Sequence, residues 1–124
     1  MKKYITGDLL HYKICNAKYL IEVTNTSKHG YCFKGVKDNF NGVICDEFIE
    51  DIPLTPEILE KNGWKKDKDG YFNDSYYIRL CESSTNYAAY KVVNNSIVWL
   101  RAVENVSDLQ HLLFGLDISL KIEV

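Results

Sequence analysis

Apolar and polar positions alternate over short runs through the first third of the chain. From Lys18 to Thr24, Tyr19, Ile21 and Val23 fall on one side and Leu20, Glu22 and Thr24 on the other, the period of a strand. Lys3 to Ile5, Leu9 to Ile14 and Tyr31 to Val36 read as further strands. Gly7-Asp8 splits the first two of these, and Asn25 to Gly30 is dense in turn formers. Asn41-Gly42 is a type I′ hairpin signal that returns into Val43 to Ile49. Short strands joined by tight turns predict an SH3-like small barrel or a curled antiparallel sheet over residues 1–51.

The pattern then changes. Over Ile52 to Trp64, Thr55 suits an N-cap and Pro56 the first helical position. Leu54 is placed to close on Leu59 as a staple, and Glu57 and Lys61 complement the helix dipole. Gly63 supplies a left-handed stop, with Trp64 where a Schellman motif wants an apolar residue. These signals predict a short central helix over Pro56 to Asn62. Strand periodicity returns at Trp64 to Lys66, followed by a turn at Asp67-Lys68-Asp69-Gly70. Tyr76 to Cys81, Tyr87 to Val93 and Ile97 to Val103 then form an antiparallel meander. Ser107 and Gln110 make a capping box for a second helix striped by Leu109, Leu112, Leu113 and Leu116. Ile118 to Val124 alternates again and predicts a final strand. The class is α+β: one domain over 1–124, with a β-rich half at 1–51 and a helix–meander–helix–strand half at 52–124.

Composition narrows the function more than the fold. The 124 residues suffice for one ordinary core, and the 46% hydrophobic and 26% charged fractions are those of a globular protein. A formal charge of −2 speaks against a general nucleic-acid coat. The lysine-bearing start has no apolar h-region, and no run approaches the ~20 apolar residues of a membrane span. A protein that stays in the cytoplasm of the cell that makes it, without membrane contact, is expected. Cys15, Cys32, Cys45 and Cys81 are too irregularly spaced for a disulfide framework. They read as reduced, small buried apolar residues, with no Cys-x-x-Cys pair to seed a zinc site.

No constellation carries chemistry. Asp67-Lys68-Asp69-Gly70 resembles the middle of an EF-hand loop, but Lys65 and Tyr76 stand where the outer carboxylate ligands belong. The run Asp46, Glu47, Glu50, Asp51 suggests either a solvated face, a protein contact or a Mg²⁺ site. His11, His29 and His111 lie in unlike contexts, and Ser107 is engaged as a cap rather than poised as a nucleophile. No catalytic residue, metal or cofactor is assigned. The unusual quantity is aromatic: nine Tyr, five Phe and two Trp. Tyr76, Tyr77, Tyr87 and Tyr90 gather in the meander with Trp99, among the cations Arg79, Lys91 and Arg101 and close to Lys65 and Lys66. Three readings stay open for them: cover for the core, a protein interface, or stacking of a phosphate-bearing ligand.

The segment Ile52-Pro53-Leu54-Thr55-Pro56-Glu57-Ile58-Leu59-Glu60-Lys61-Asn62-Gly63-Trp64 resembles one common in short proteins of phages and prophages of Bacteroides-type gut bacteria. In those proteins a C-terminal helix often begins Val-His-x-Leu-Gln and precedes a Glu-Leu-rich strand. Val106, Leu109, Gln110 and Ile122-Glu123-Val124 match here, with Ser107 in place of the His. The resemblance implies a mobile-element origin and supplies no site. The leading expectation is a non-catalytic binding protein of phage or prophage origin, acting on a protein partner or as a homo-oligomer. The alternative is a small-ligand binder sequestering a nucleotide-type signal of host defence. A hydrolase using the Asp46–Asp51 carboxylates comes last.

Overall fold

The computed structural model describes residues 4–28 and 30–124. Lys3 and His29 lie outside these residues, and Tyr4 and Ile5, the rest of the strand expected from Lys3, form no strand. Residue contacts divide the chain into two compact units, one ending at Ile52 and one beginning at Pro53.

The first unit holds an antiparallel sheet of β1 (Leu9–Ile14), β2 (Ala17–Ser27), β3 (Gly30–Gly35), β4 (Asn41–Ile44) and β5 (Ile49–Glu50), in the order β4-β3-β2-β1-β5. Tyr4, Leu10, Ile21, Val23, Tyr31, Phe33 and Ile44 form its core, with Tyr12, Phe40 and Ile49 against it. The sheet is open. β4 and β5 do not pair among the described residues, and with four and two residues they offer too little ladder to close an SH3-like barrel. Asn41-Gly42 is not the predicted hairpin turn, because both residues pair inside β4, opposite Lys34 and Phe33. The turn is made earlier, where Gly35 N–H donates to Phe40 C=O at 2.7 Å. Gly42 is spent instead on the Phe33 ring, which a Cβ would meet at 3.3 Å. The expected strand into Ile49 is interrupted by a 3-10 turn at Asp46–Phe48.

The second unit places α1 (Pro56–Lys61) before a meander of β6 (Lys65–Asp67), β7 (Gly70–Asn73), β8 (Ile78–Glu82), β9 (Tyr87–Val93) and β10 (Ser96–Val103), closed by α2 (Val106–Gly115). The five strands run antiparallel in chain order. The α1 signals act as written. Thr55 Oγ1 accepts from Ile58 N–H at 3.3 Å. Gly63 has φ +86°, and Trp64 N–H reaches Leu59 C=O at 3.0 Å while Gly63 N–H reaches Glu60 C=O at 3.2 Å, the paired bonds of a Schellman motif.

Three expectations need correction here. The cap of α2 is Asn105 rather than Ser107, because Asp108 closes the box, its Oδ2 accepting from Asn105 N–H at 3.1 Å. Ser107 falls inside the helix and is buried. Residues 118–124 form no strand. Their burial still alternates, with Ile122 buried, but the backbone is held by side chains at the end of α1: Asn62 Nδ2 donates to Glu123 C=O at 2.7 Å, Glu123 N–H donates back to Asn62 Oδ1 at 2.8 Å, and Lys61 Nζ donates to Val124 C=O at 3.2 Å. Nor are the cysteines buried. All four are free, Cys15 and Cys45 exposed and Cys32 and Cys81 half-buried.

Candidate functional site

The registers of the second sheet sort the meander's side chains onto two faces. Tyr71 faces Leu80, Leu80 faces Ala89, and Tyr87 faces both Glu82 and Val103. Tyr71, Ile78, Leu80, Tyr87, Ala89 and Val103 are buried on this face, and Leu59 of α1 and Leu109 and Leu113 of α2 are buried as well. On the other face Phe72 faces Arg79, Arg79 faces Tyr90, and Tyr90 faces Trp99, one row across four strands. This face is only half-covered, and at the outermost strand Trp99 is 60% exposed.

The structure therefore divides the eight residues singled out from sequence. Arg79, Tyr90 and Trp99 share the open face. Tyr87, Lys91 and Arg101 belong by register to the opposite one, where Tyr87 is buried edge-on to Tyr71 at 6.2 Å and burial pushes its hydroxyl pKa up. Arg101 lies there because a bulge between Trp99 and Arg101 flips the alternation. Tyr76 and Tyr77 sit in the turn before β8, shaped by Asn73 Oδ1, which accepts from Ser75 N–H at 3.0 Å and Tyr76 N–H at 3.3 Å. Tyr77 takes φ +55° and is exposed.

The cations nearby already have partners. Arg79 pairs with Asp67 at 2.6 Å, and this bond, ahead of the backbone N–H of Asp69, holds the Asp67 carboxyl below its usual range. Arg101 pairs with Asp108 at 3.3 Å, Lys66 with Glu82 at 3.0 Å and Lys65 with Asp74 at 3.5 Å. Lys91 Nζ donates to Tyr76 C=O and lies 5.9 Å from the Tyr77 ring. Asp67 Oδ1 also accepts from Asp69 and Gly70 N–H, so Asp67–Gly70 is a self-satisfied hairpin turn.

Two of the four acids in the run Asp46, Glu47, Glu50, Asp51 are engaged in the same way. Glu50 pairs with Lys18 at 3.3 Å, which lowers its pKa, and with Lys13 at 3.8 Å. Asp51 accepts from Tyr4 Oη–H at 2.9 Å. Among the described residues no group of three His, Cys, Asp or Glu is placed to hold a metal ion. Burial raises the Cys81 thiol pKa, which leaves it less nucleophilic than an ordinary cysteine. An open depression on the first sheet is lined by Thr24, Cys32, Phe33, Lys34, Asn41, Gly42 and Val43, and Lys34 there is paired to Glu22 at 3.7 Å.

Sequence reasoning named Trp99 but passed over its neighbours. Ile97 is 61% and Val98 49% exposed, so three consecutive apolar side chains stand in solvent on an edge strand. The signal was available: Ile97-Val98-Trp99-Leu100 is an unbroken apolar run, which a half-buried strand does not need. Compared with protein-family models, with curated proteins and with solved structures, the chain matches none.

Proposed function

We propose that this chain is a non-catalytic binding protein of phage or prophage origin that works by protein contact inside a bacterial host cell. The observation that carries the reading is the exposure of Ile97, Val98 and Trp99 together at the margin of the second sheet. Contiguous exposed apolar groups around an aromatic anchor are what protein interfaces use. The origin rests on the resemblance of Ile52 to Trp64. Pairing of Arg79, Arg101, Lys65 and Lys66 with carboxylates favours this reading over a phosphate-bearing ligand, which needs cations not already neutralised.

The test is to purify the full chain from a bacterial host beside Trp99→Ser. The proposal expects a protein, either a host protein or a co-produced untagged copy of the chain itself, retained in stoichiometric amount by the first and lost by the second, with equal melting temperatures. Melts with a panel of linear and cyclic nucleotides should show no shift. A rise following RT ln(1 + [L]/Kd) would transfer the function to the small-ligand reading.

A further inference from the structure

The two sheets have four edge strands, and three of them are blunted in the usual ways, by shortness or charge. β5 is two residues long with Glu50 held by Lys13 and Lys18. β4 has four residues, one of them Gly42. β6 is Lys65-Lys66-Asp67, all charged. β10 has eight residues, and Ser96–Trp99 contains no charge, proline or bulge.

The backbone direction along this edge can be worked out. Val92 N–H donates to Tyr77 C=O at 2.8 Å, so the polar groups of Val92 point toward β8 and away from β10. In an antiparallel ladder hydrogen-bonded and non-hydrogen-bonded pairs alternate. Ile97 opposite Val92 and Trp99 opposite Tyr90 are therefore non-hydrogen-bonded pairs, and Val98 opposite Lys91 is a bonded one. The N–H and C=O of Ile97 and Trp99 face outward, and those of Val98 face inward.

We propose that Ser96–Trp99 pairs antiparallel with the same strand of a second copy, about a two-fold axis through Val98, joining two five-stranded sheets into one. The proposal rests on the contact reading above and names its partner and register. On that axis Val98 faces Val98, and Ile97 faces Trp99 on both sides. Those are the residues whose backbone groups point outward, so each pair exchanges both N–H···O bonds. Their side chains share one sheet face, which makes two aromatic–β-branched cross-strand pairs. Charge fits self-pairing as well. The two Arg101 side chains lie six residues apart along the joint, about 20 Å at a strand's rise, beyond the range of unscreened repulsion. The bulge after Trp99 ends the ladder and keeps it short. An interface this small falls below the roughly 1,200 Å² of stable complexes, so the dimer is reversible and concentration-dependent.

Sedimentation equilibrium of the full chain over a concentration series tests this, with Val98→Lys and Val98→Thr beside it. Val98 is 49% exposed but faces Lys91 across the ladder, so melting temperatures are measured beside the association constants to show that each variant folds as wild type does. Wild type and Val98→Thr should dimerise with similar constants. Val98→Lys places like charges face to face at the axis and should weaken association roughly tenfold or more, with partial recovery in high salt. A wild type that stays monomeric throughout, or a Val98→Lys dimer as tight as wild type, overturns self-pairing. The contact reading falls separately, only if Trp99-dependent protein retention is also missing.

Discussion

Tyr12, Tyr19, Phe33 and Phe40 of the first unit close a ring of contacts, with centroids 5.5 Å apart for Tyr12–Phe33, 5.6 Å for Phe33–Phe40, 5.7 Å for Tyr19–Phe40 and 6.2 Å for Tyr12–Tyr19. Phe72, Tyr90 and Trp99 of the second are instead strung across strands, with Arg79 between the first two, 5.2 Å from the Phe72 ring. The residue types are the same and the strands similarly patterned. The difference is what lies alongside. In the first sheet Tyr12 and Phe33 sit on inner strands, and the chain between β3 and β4 folds back to set Phe40 on them. In the second, Trp99 is on the last strand and stays 60% exposed. Phe33, on an inner strand and covered by Phe40, becomes core, whereas Trp99, on an edge, stays available to a partner.

The largest expected effect contrasts these two places. Phe33→Ala should cost about 3–5 kcal/mol in urea unfolding, the usual loss for a buried ring. Gly35→Ala sharpens the first half of the contrast. Its Cβ would fall 2.4 Å from Phe40 Cε1 and 2.5 Å from Asp38 C=O, so a loss of about 1–3 kcal/mol is expected. Asn62→Ala asks whether the second unit depends on its last segment. It should lose roughly 1–2 kcal/mol and make residues 118–124 open to limited proteolysis.

A smaller effect concerns acid. Burial, aided by Lys18, lowers the His11 pKa, so folding favours the neutral ring. Its contribution is complete above the ordinary histidine value of ~6.5 and is lost as pH falls through the lower folded value. Melting curves between pH 8 and 5 should fall less steeply for His11→Gln. Smallest of all, Trp99→Ala should change stability by no more than about 0.5 kcal/mol, since its side chain supports little of its own fold. A large loss would put Trp99 in the core and erase the contrast.

Legibility in the sequence followed the range of the interactions. Thr55 to Trp64 could be read because every bond that ends α1 closes within six residues. Asn105 and Ser107 are both good caps, and Asp108 decided between them by reaching back to Asn105 N–H. Asn41-Gly42 fits a hairpin turn, but the Phe33 ring on the paired strand, nine residues before Gly42, needed the space. Alternation in residues 118–124 reported burial correctly and could not say that Asn62 rather than a strand would hold the backbone. Gly70–Asn73 escaped as a strand because turn formers flank its Tyr and Phe. Of the candidate surface, the aromatic run was visible, but which strand ends the sheet is set by long-range pairing and not by local pattern.

Amide hydrogen exchange read residue by residue at low and high protein concentration probes the outward-facing edge of β10 itself. The Ile97 and Trp99 amides should exchange fast when dilute and slow markedly when concentrated, while Val98 is protected in both. Ile97 and Trp99 amides protected at every dilution, or equally fast at both concentrations, would contradict reversible pairing through that edge.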